Sequence, residues 1–270
     1  MGRAYASALR EERLAARQKP LVTDSPSIEV RSEWLRPELV GTWRFIACVV
    51  VVMFGPAIIP AAIYGLHHAS GDFLSMFRDR TLILNGAFEA AMLGLFLIVL
   101  HGCGWCPADL RIRMGWRSTV EGIGLLFATY LGLMAVMIFL LMLLELIGHA
   151  SWVNGLVPKF AATGPGVIQL TWPVIIVFTF VNAFYEELVY MGFTFNQVAA
   201  KLGSGWALAA TVMIRLSIHT YQGTSHAVQI GTWALIFGIA YRWRKCVWPL
   251  ILAHACIDLF SLGALKILFS

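Results

Sequence analysis

Charge is what this chain has least of. Asp, Glu, Lys and Arg make up only 13% of its 270 residues, against 59% hydrophobic, and the mean hydropathy is +0.75. Soluble domains carry about 25% charged residues, so the shortage excludes an ordinary soluble fold. The first 40 residues lack the apolar core of a cleavable signal peptide, so none is expected there. Internal repeats and low-complexity tracts are missing, which points to one membrane domain. There is also no inverted repeat and no pair of Gly/Pro-broken spans in matching halves, which counts against a transporter. No HExxH occurs, which excludes two zinc-binding histidines on one helical face.

What is present is a series of apolar runs. They cover about 43–65, 82–102, 121–147, 172–192, 204–221, 226–241 and 247–266, most of them near the roughly 20 residues that cross a bilayer as a helix. The reading is an all-α polytopic transmembrane helix bundle of seven spans. Residues 148–171 are amphipathic and rich in Gly and Pro, so they read as a loop with a short interfacial helix, an eighth span being the alternative. Residues 1–42 form a cytosolic N-terminal tail, and residues 43–270 the membrane domain.

Lys and Arg set the orientation. With the N-terminus inside, fifteen of the 20 fall in cytoplasmic segments and four, Arg78, Arg80, Lys159 and Lys266, in outer ones, a bias that favours this topology. The basic residues therefore sit where topology needs them, and no nucleic-acid partner is implied. The partners expected are the lipid bilayer and a protein or peptide at the membrane.

Against this background the stretch FTFVNAFYEELVYMGF stands out, because Glu186 and Glu187 lie side by side in an apolar run. A charge at the centre of a span costs about 2.5–3.5 kcal/mol on insertion scales, so such residues face the bundle interior and have a purpose. The bland alternative, a helix ending near residue 185 with both carboxylates in interfacial water, conflicts with the apolar residues that follow. The fifth run holds Arg215 and His219, and the seventh His254 and Asp258, each pair four apart and on one helical face. Alone, either His reads as well as a structural hydrogen-bonded residue, and Arg215 as a snorkelling side chain. Together, three helices each carrying a polar pair point to one functional site.

These residues resemble the CPBP intramembrane proteases, which include the CAAX prenyl endopeptidases and Abi-type proteins. The similarity runs over about 170–265. The family's first motif is Glu-Glu, three residues and Arg; here EELVYM has Met191 in the arginine's place. Its second is Phe four positions before His; RLSIH supplies His219 with Arg215 in the Phe position. Its third is His with Asn or Asp four positions on, matched by His254 and Asp258 in HACID. Met191 cannot pair with Glu187, whereas Arg215, one turn from His219, can do so across the helices. The expectation is that the arginine has moved from the fourth helix to the fifth.

The resemblance implies an intramembrane endopeptidase, with Glu186, Glu187, His219, His254 and Asp258 as catalytic residues and Arg215 as a supporting ion pair. Glu186 suits a general base on water, His219 shares that water, and His254 with Asp258 lines the carbonyl side. The expected cofactor is none, Arg215 disfavouring a dication; were Zn²⁺ used, Glu186, His219 and His254 would be its ligands. A prenylated CAAX protein is the family's best-known substrate, a bacteriocin-like or leader peptide the alternative. The second motif's continuation, SIHTYQG, resembles bacterial members, so a bacterial inner membrane is expected. Two other functions stay open, a non-proteolytic binding, immunity or maturation partner of the same fold and a transporter or proton relay. Cys103 and Cys106 form a CxxC with no second pair to complete a zinc site, and read as incidental thiols.

Overall fold

The structure, a computed structural model, describes residues 40–67, 77–106, 108–149, 168–222 and 224–269. All of them belong to the compact unit Trp34–Ser270. Most of the N-terminal tail, and most of the loop expected over 148–171, lie outside the described residues.

Helices account for nearly everything described. They are α1 (Trp43–His67), α2 (Asp79–Gly102), α3 (Trp116–Leu146), α4 (Trp172–Glu187), α5 (Asn196–Leu202), α6 (Ser204–Ile218), α7 (Thr224–Arg244) and α8 (Trp248–Phe269). Between α4 and α5 the chain stays helical as a π-helix, Leu188–Phe195, and a 3₁₀ turn, Thr220–Gln222, joins α6 to α7. Helices thus occupy all seven expected spans. Among the described residues, however, five are long and apolar enough to cross a membrane: Trp43–Ile63, Asp79–Gly102, Trp116–Leu146, Trp172–Leu202 and Trp248–Phe269. The sixth helix, at 15 residues, is short of the roughly 20 needed. The seventh is long enough but diluted by His226, Gln229, Arg242 and Arg244. The chain is an integral membrane protein of all-helical class.

The fourth span departs most from expectation. Its helical course runs to Leu202 rather than stopping near 192, because Phe193, Thr194 and Phe195 are core residues and nothing in them breaks a helix. It ends at Gly203, whose φ of 87° is strained for any residue with a Cβ. About 56% of the most apolar stretch of Trp172–Leu202 is buried, against 17% for α2 and α3. Those outer helices instead present Ile83, Leu84, Ile98, Phe127, Phe139 and Met142 outward, as lipid-facing surfaces do.

Around this central element, α4 packs on α2 and α8, α6 on α1, α5, α7 and the π-helix, and α3 on α7 and α8. One end of the bundle is tied by the Asp79 amide donating to Gln169 O (2.8 Å), the Thr171 amide donating to the Asp79 carboxylate (2.8 Å) and Lys266 donating to Leu170 O (2.6 Å). At the other end the Val247 amide donates to Arg111 O (3.1 Å), and Arg244 pairs with Glu121.

Close approach of α3 to α8 depends on Gly122, where a Cβ would sit 3.0 Å from the Pro249 carbonyl oxygen and 3.1 Å from Leu252. Gly122→Val is therefore expected to cost about 1–3 kcal/mol. A cost of that size should lower the melting temperature in detergent by several degrees. Gly124→Val is expected to leave it nearly unchanged, since a Cβ there meets nothing within 4 Å. Differential scanning fluorimetry of the two variants makes the comparison.

Candidate active site

The site grows from the middle of the central helix. Pro173 opens α4 in its first turn, where a missing N–H costs nothing. From there Asn182 and Glu186 stand one turn apart, with Glu187 beside them. Both glutamates are buried, Glu187 completely. α6 brings Arg215, which is 0% exposed, and ends at His219. α8 brings His254, also buried, and Asp258.

A carboxylate and a guanidinium stripped of water must pair with each other or with polar neighbours, and these do. Arg215 Nη2 donates to Glu187 Oε1 at 2.5 Å and lies 3.8 Å from Glu186 Oε2. Its guanidinium also lies over the rings of Tyr190 (4.5 Å), Trp233 (5.2 Å) and Phe237 (5.9 Å), a cation–π cage that replaces part of its lost hydration. His254 Nδ1 is 2.8 Å from the same Glu187 oxygen, so beside the guanidinium this nitrogen carries the hydrogen and donates. On the ring's far side Nε2 lies 3.3 Å from Asp258 Oδ2. The Asn182 amide donates to Asp258 Oδ2 at 2.9 Å and lies 3.4 Å from His254 Nε2.

The structure thus brings Glu186, Glu187, Arg215, His254 and Asp258 into one cluster. His219 is not bonded into it. Its ring packs against Tyr221, 6.4 Å between centroids, within electrostatic reach of Arg215, Asp258 and His254. Buried atoms without a hydrogen-bond partner at the site include Glu186 Oε2 and His219 Nδ1, from two different helices. Glu187 Oε2 and Arg215 Nε and Nη1 are also unpartnered, but their groups are already held by the ion pair.

Sequence reasoning missed two members. Asn182 precedes Glu186 by one turn, and Glu89, on α2, lies within electrostatic reach of Glu186, Asp258 and His254. Both were visible as polar residues inside apolar runs, Asn182 four residues before Glu186 and Glu89 four after Asn85. The CxxC contributes nothing here: Cys103 is buried, Cys106 exposed, both free, and burial raises the Cys103 thiol above its usual range. The arrangement does not fit a zinc ion either. Among the described residues no three His, Cys, Asp or Glu side chains gather to hold a metal. Both His254 nitrogens are engaged, and a guanidinium sits against the two glutamates.

Removing one partner of a buried pair leaves an uncompensated charge, at a cost of about 3–5 kcal/mol. Arg215→Met is therefore expected to lower the detergent melting temperature strongly. Adding Met191→Arg, which returns the charge to the fourth helix, is expected to recover a substantial part. Equal melting of the single and double variants would count against a relocated arginine.

Comparison with known proteins agrees with the three motifs. No curated protein and no solved structure matches the chain. Residues 168–260, which contain every member of the cluster except Glu89, match the family model described as Type II CAAX prenyl endopeptidase Rce1-like.

Proposed function

We propose that the chain is an intramembrane endopeptidase that hydrolyses a peptide bond of a membrane-associated protein or peptide, with Glu186 as the base that activates water. One observation carries this reading. Glu187 is tied through one oxygen to both Arg215 and His254, whereas the buried Oε2 of its neighbour Glu186 accepts no hydrogen bond and reaches Arg215 only at 3.8 Å. A buried acceptor left open is costly unless a water or substrate fills it.

In this mechanism Glu186 takes a proton from a water that attacks the scissile carbonyl, and His219, through its unpartnered Nδ1, holds the same water. Glu187, fixed by Arg215 and His254, orients its neighbour and supplies the negative charge that keeps the guanidinium in place. The oxyanion needs donors. Both His254 nitrogens are engaged, so the role passes to the Asn182 amide, which has one N–H on Asp258 and a second to offer. Asp258 then orients Asn182 rather than donating itself.

Residues 108–115 and 242–247 meet at one end of the bundle and hold Arg111, Arg113, Arg242, Arg244 and Lys245. We place that end in the cytoplasm of a bacterial cell, on the charge bias.

Two experiments test these assignments. Membrane proteomes of cells with the wild-type chain and with Glu186→Ala are expected to differ by a precursor that stays uncleaved in the variant. Purified Glu186→Gln is expected to lose at least about a hundredfold in turnover while melting like the wild type. Identical proteomes would overturn the peptidase reading in favour of a binding role. For orientation, Cys106 is exposed at the basic end. A membrane-impermeant maleimide is expected to label it in inverted vesicles and not in intact cells, with the label lost in Cys106→Ser.

A further inference from the structure

One half-buried carboxyl at the site lies outside the matched segment and outside the mechanism above. Glu89 stands in the middle of α2, in LILNGAFEAAMLGL, and its Oε2 is buried with no hydrogen-bond partner. α2 packs directly on α4, and the side chain lies within electrostatic reach of Glu186, Asp258 and His254. Tyr185, next to Glu186 on the same helix, is within reach of both Glu89 and Glu186. It is anchored by donating its hydroxyl to the Met53 carbonyl of α1.

The charges at the site do not balance if every carboxyl is ionised. Glu89, Glu186, Glu187 and Asp258 face one guanidinium and two imidazole rings, those of His254 and His219, so four negative charges would exceed three positive ones even with both rings charged. Carboxylates crowded in low dielectric cannot all be charged. Their surroundings differ. Glu187 contacts Arg215 and His254, Glu186 lies 3.8 Å from Arg215, and Asp258 is held by Asn182 and His254. Glu89 makes no ion pair among the described residues. Two carboxyls in unlike settings are how an acid and a base are built into one site.

We propose that Glu89 is the general acid of the reaction, the carboxyl that gives its proton to the leaving nitrogen. The assignment rests on the peptidase reading above. Water's oxygen bonds to the scissile carbon and its proton passes to Glu186. As the C–N bond breaks, the nitrogen takes the Glu89 proton and leaves as an amine, with the new carboxylic acid on the other side. Glu186 then returns its proton to Glu89, through water, and both carboxyls are as they began. Glu186, beside a permanent cation, stays the base, and the unpartnered Glu89 the acid.

The test separates acid catalysis from structural support through the leaving group. Two pools of randomised ten-residue peptides with flanking fluorophore and quencher are used, one with a central amide, the other with a central thioester. A thiol leaves as thiolate near neutral pH and needs no proton, whereas an amine does. Glu89→Gln, nearly isosteric, is expected to cut amide turnover by about a hundredfold or more at unchanged KM and to leave thioester turnover within about threefold. Glu186→Gln is expected to lose both. Equal loss on amide and thioester in Glu89→Gln overturns the assignment, as does amide turnover equal to wild type. If the wild type itself cleaves neither pool faster than Glu186→Gln does, the peptidase reading fails and this assignment with it. Glu89→Asp, which keeps an acid on a shorter arm, is expected to recover part of the amide turnover, a rescue that a merely space-filling role does not give.

Discussion

The site is organised by the burial of one guanidinium. Arg215 is fully enclosed, and a charge so placed is tolerable only if carboxylate, histidine and aromatic groups converge on it. That requirement ties three helices together at one depth. Glu187 comes from α4, Arg215 itself from α6, and His254 from α8 reaches the same Glu187 oxygen. Trp233 and Phe237 from α7 close the cage, and Trp233 also meets the His254 ring edge-on at 4.6 Å. An ion pair of this kind adds little net stability over an apolar packing of the same volume. What it secures is geometry, since the relative depth of four helices is set by groups that have no acceptable alternative partner.

The π-helix that follows the glutamates belongs to the same arrangement. Segments with i→i+5 bonding are uncommon and frequently mark functional sites. Here Leu188–Phe195 is buried at every residue, which puts Tyr190 on the guanidinium from one side while Phe54 of α1 stacks on its other face at 4.5 Å. The widened turn leaves carbonyls to satisfy, and Asn196 answers for two, donating to Gly192 O at 2.9 Å and lying 3.3 Å from Met191 O. Its amide is in turn 2.6 Å from the Tyr241 hydroxyl of α7. The irregular backbone is therefore held by side chains from outside the π-helix.

Much of this was legible in the sequence, for an energetic reason. Charged residues are so costly in a span that Glu186, Glu187, Arg215, His219, His254 and Asp258 stood out against their apolar surroundings, and their convergence followed from having nowhere else to go. Asn182 and Glu89 escaped because the residues four away from them are Glu186, already accounted for by the adjacent glutamate, and the uncharged Asn85, and a polar residue outside a charged pair reads as tolerated rather than used. The π-turn left no mark, because LVYMGFTF has the same apolar character in either kind of helix. Span limits were blurred where burial, not lipid, decided the composition. Residues beyond 192 stay helical because they are core, and α7 carries polar residues because much of its surface faces protein.

One departure from the family pattern and one matched position have a common form. Met191 removes a charge from the π-helix that follows α4, and Arg215 on α6 places one on Glu187. Asp258 stands where an amide can also occur, and Asn182 on α4 sets an amide 2.9 Å from it. In both cases a group that the motif position does not supply lies in contact range on a neighbouring helix. A motif records where a group sits along one chain, but chemistry responds only to where the group sits in space. Within a packed bundle, neighbouring helices approach to about 8–10 Å, near enough for side chains from either to reach one point. An exchange between them changes the motif and leaves the field at Glu186 nearly as it was. The deviations that weaken the match as text are therefore compatible with a site that works.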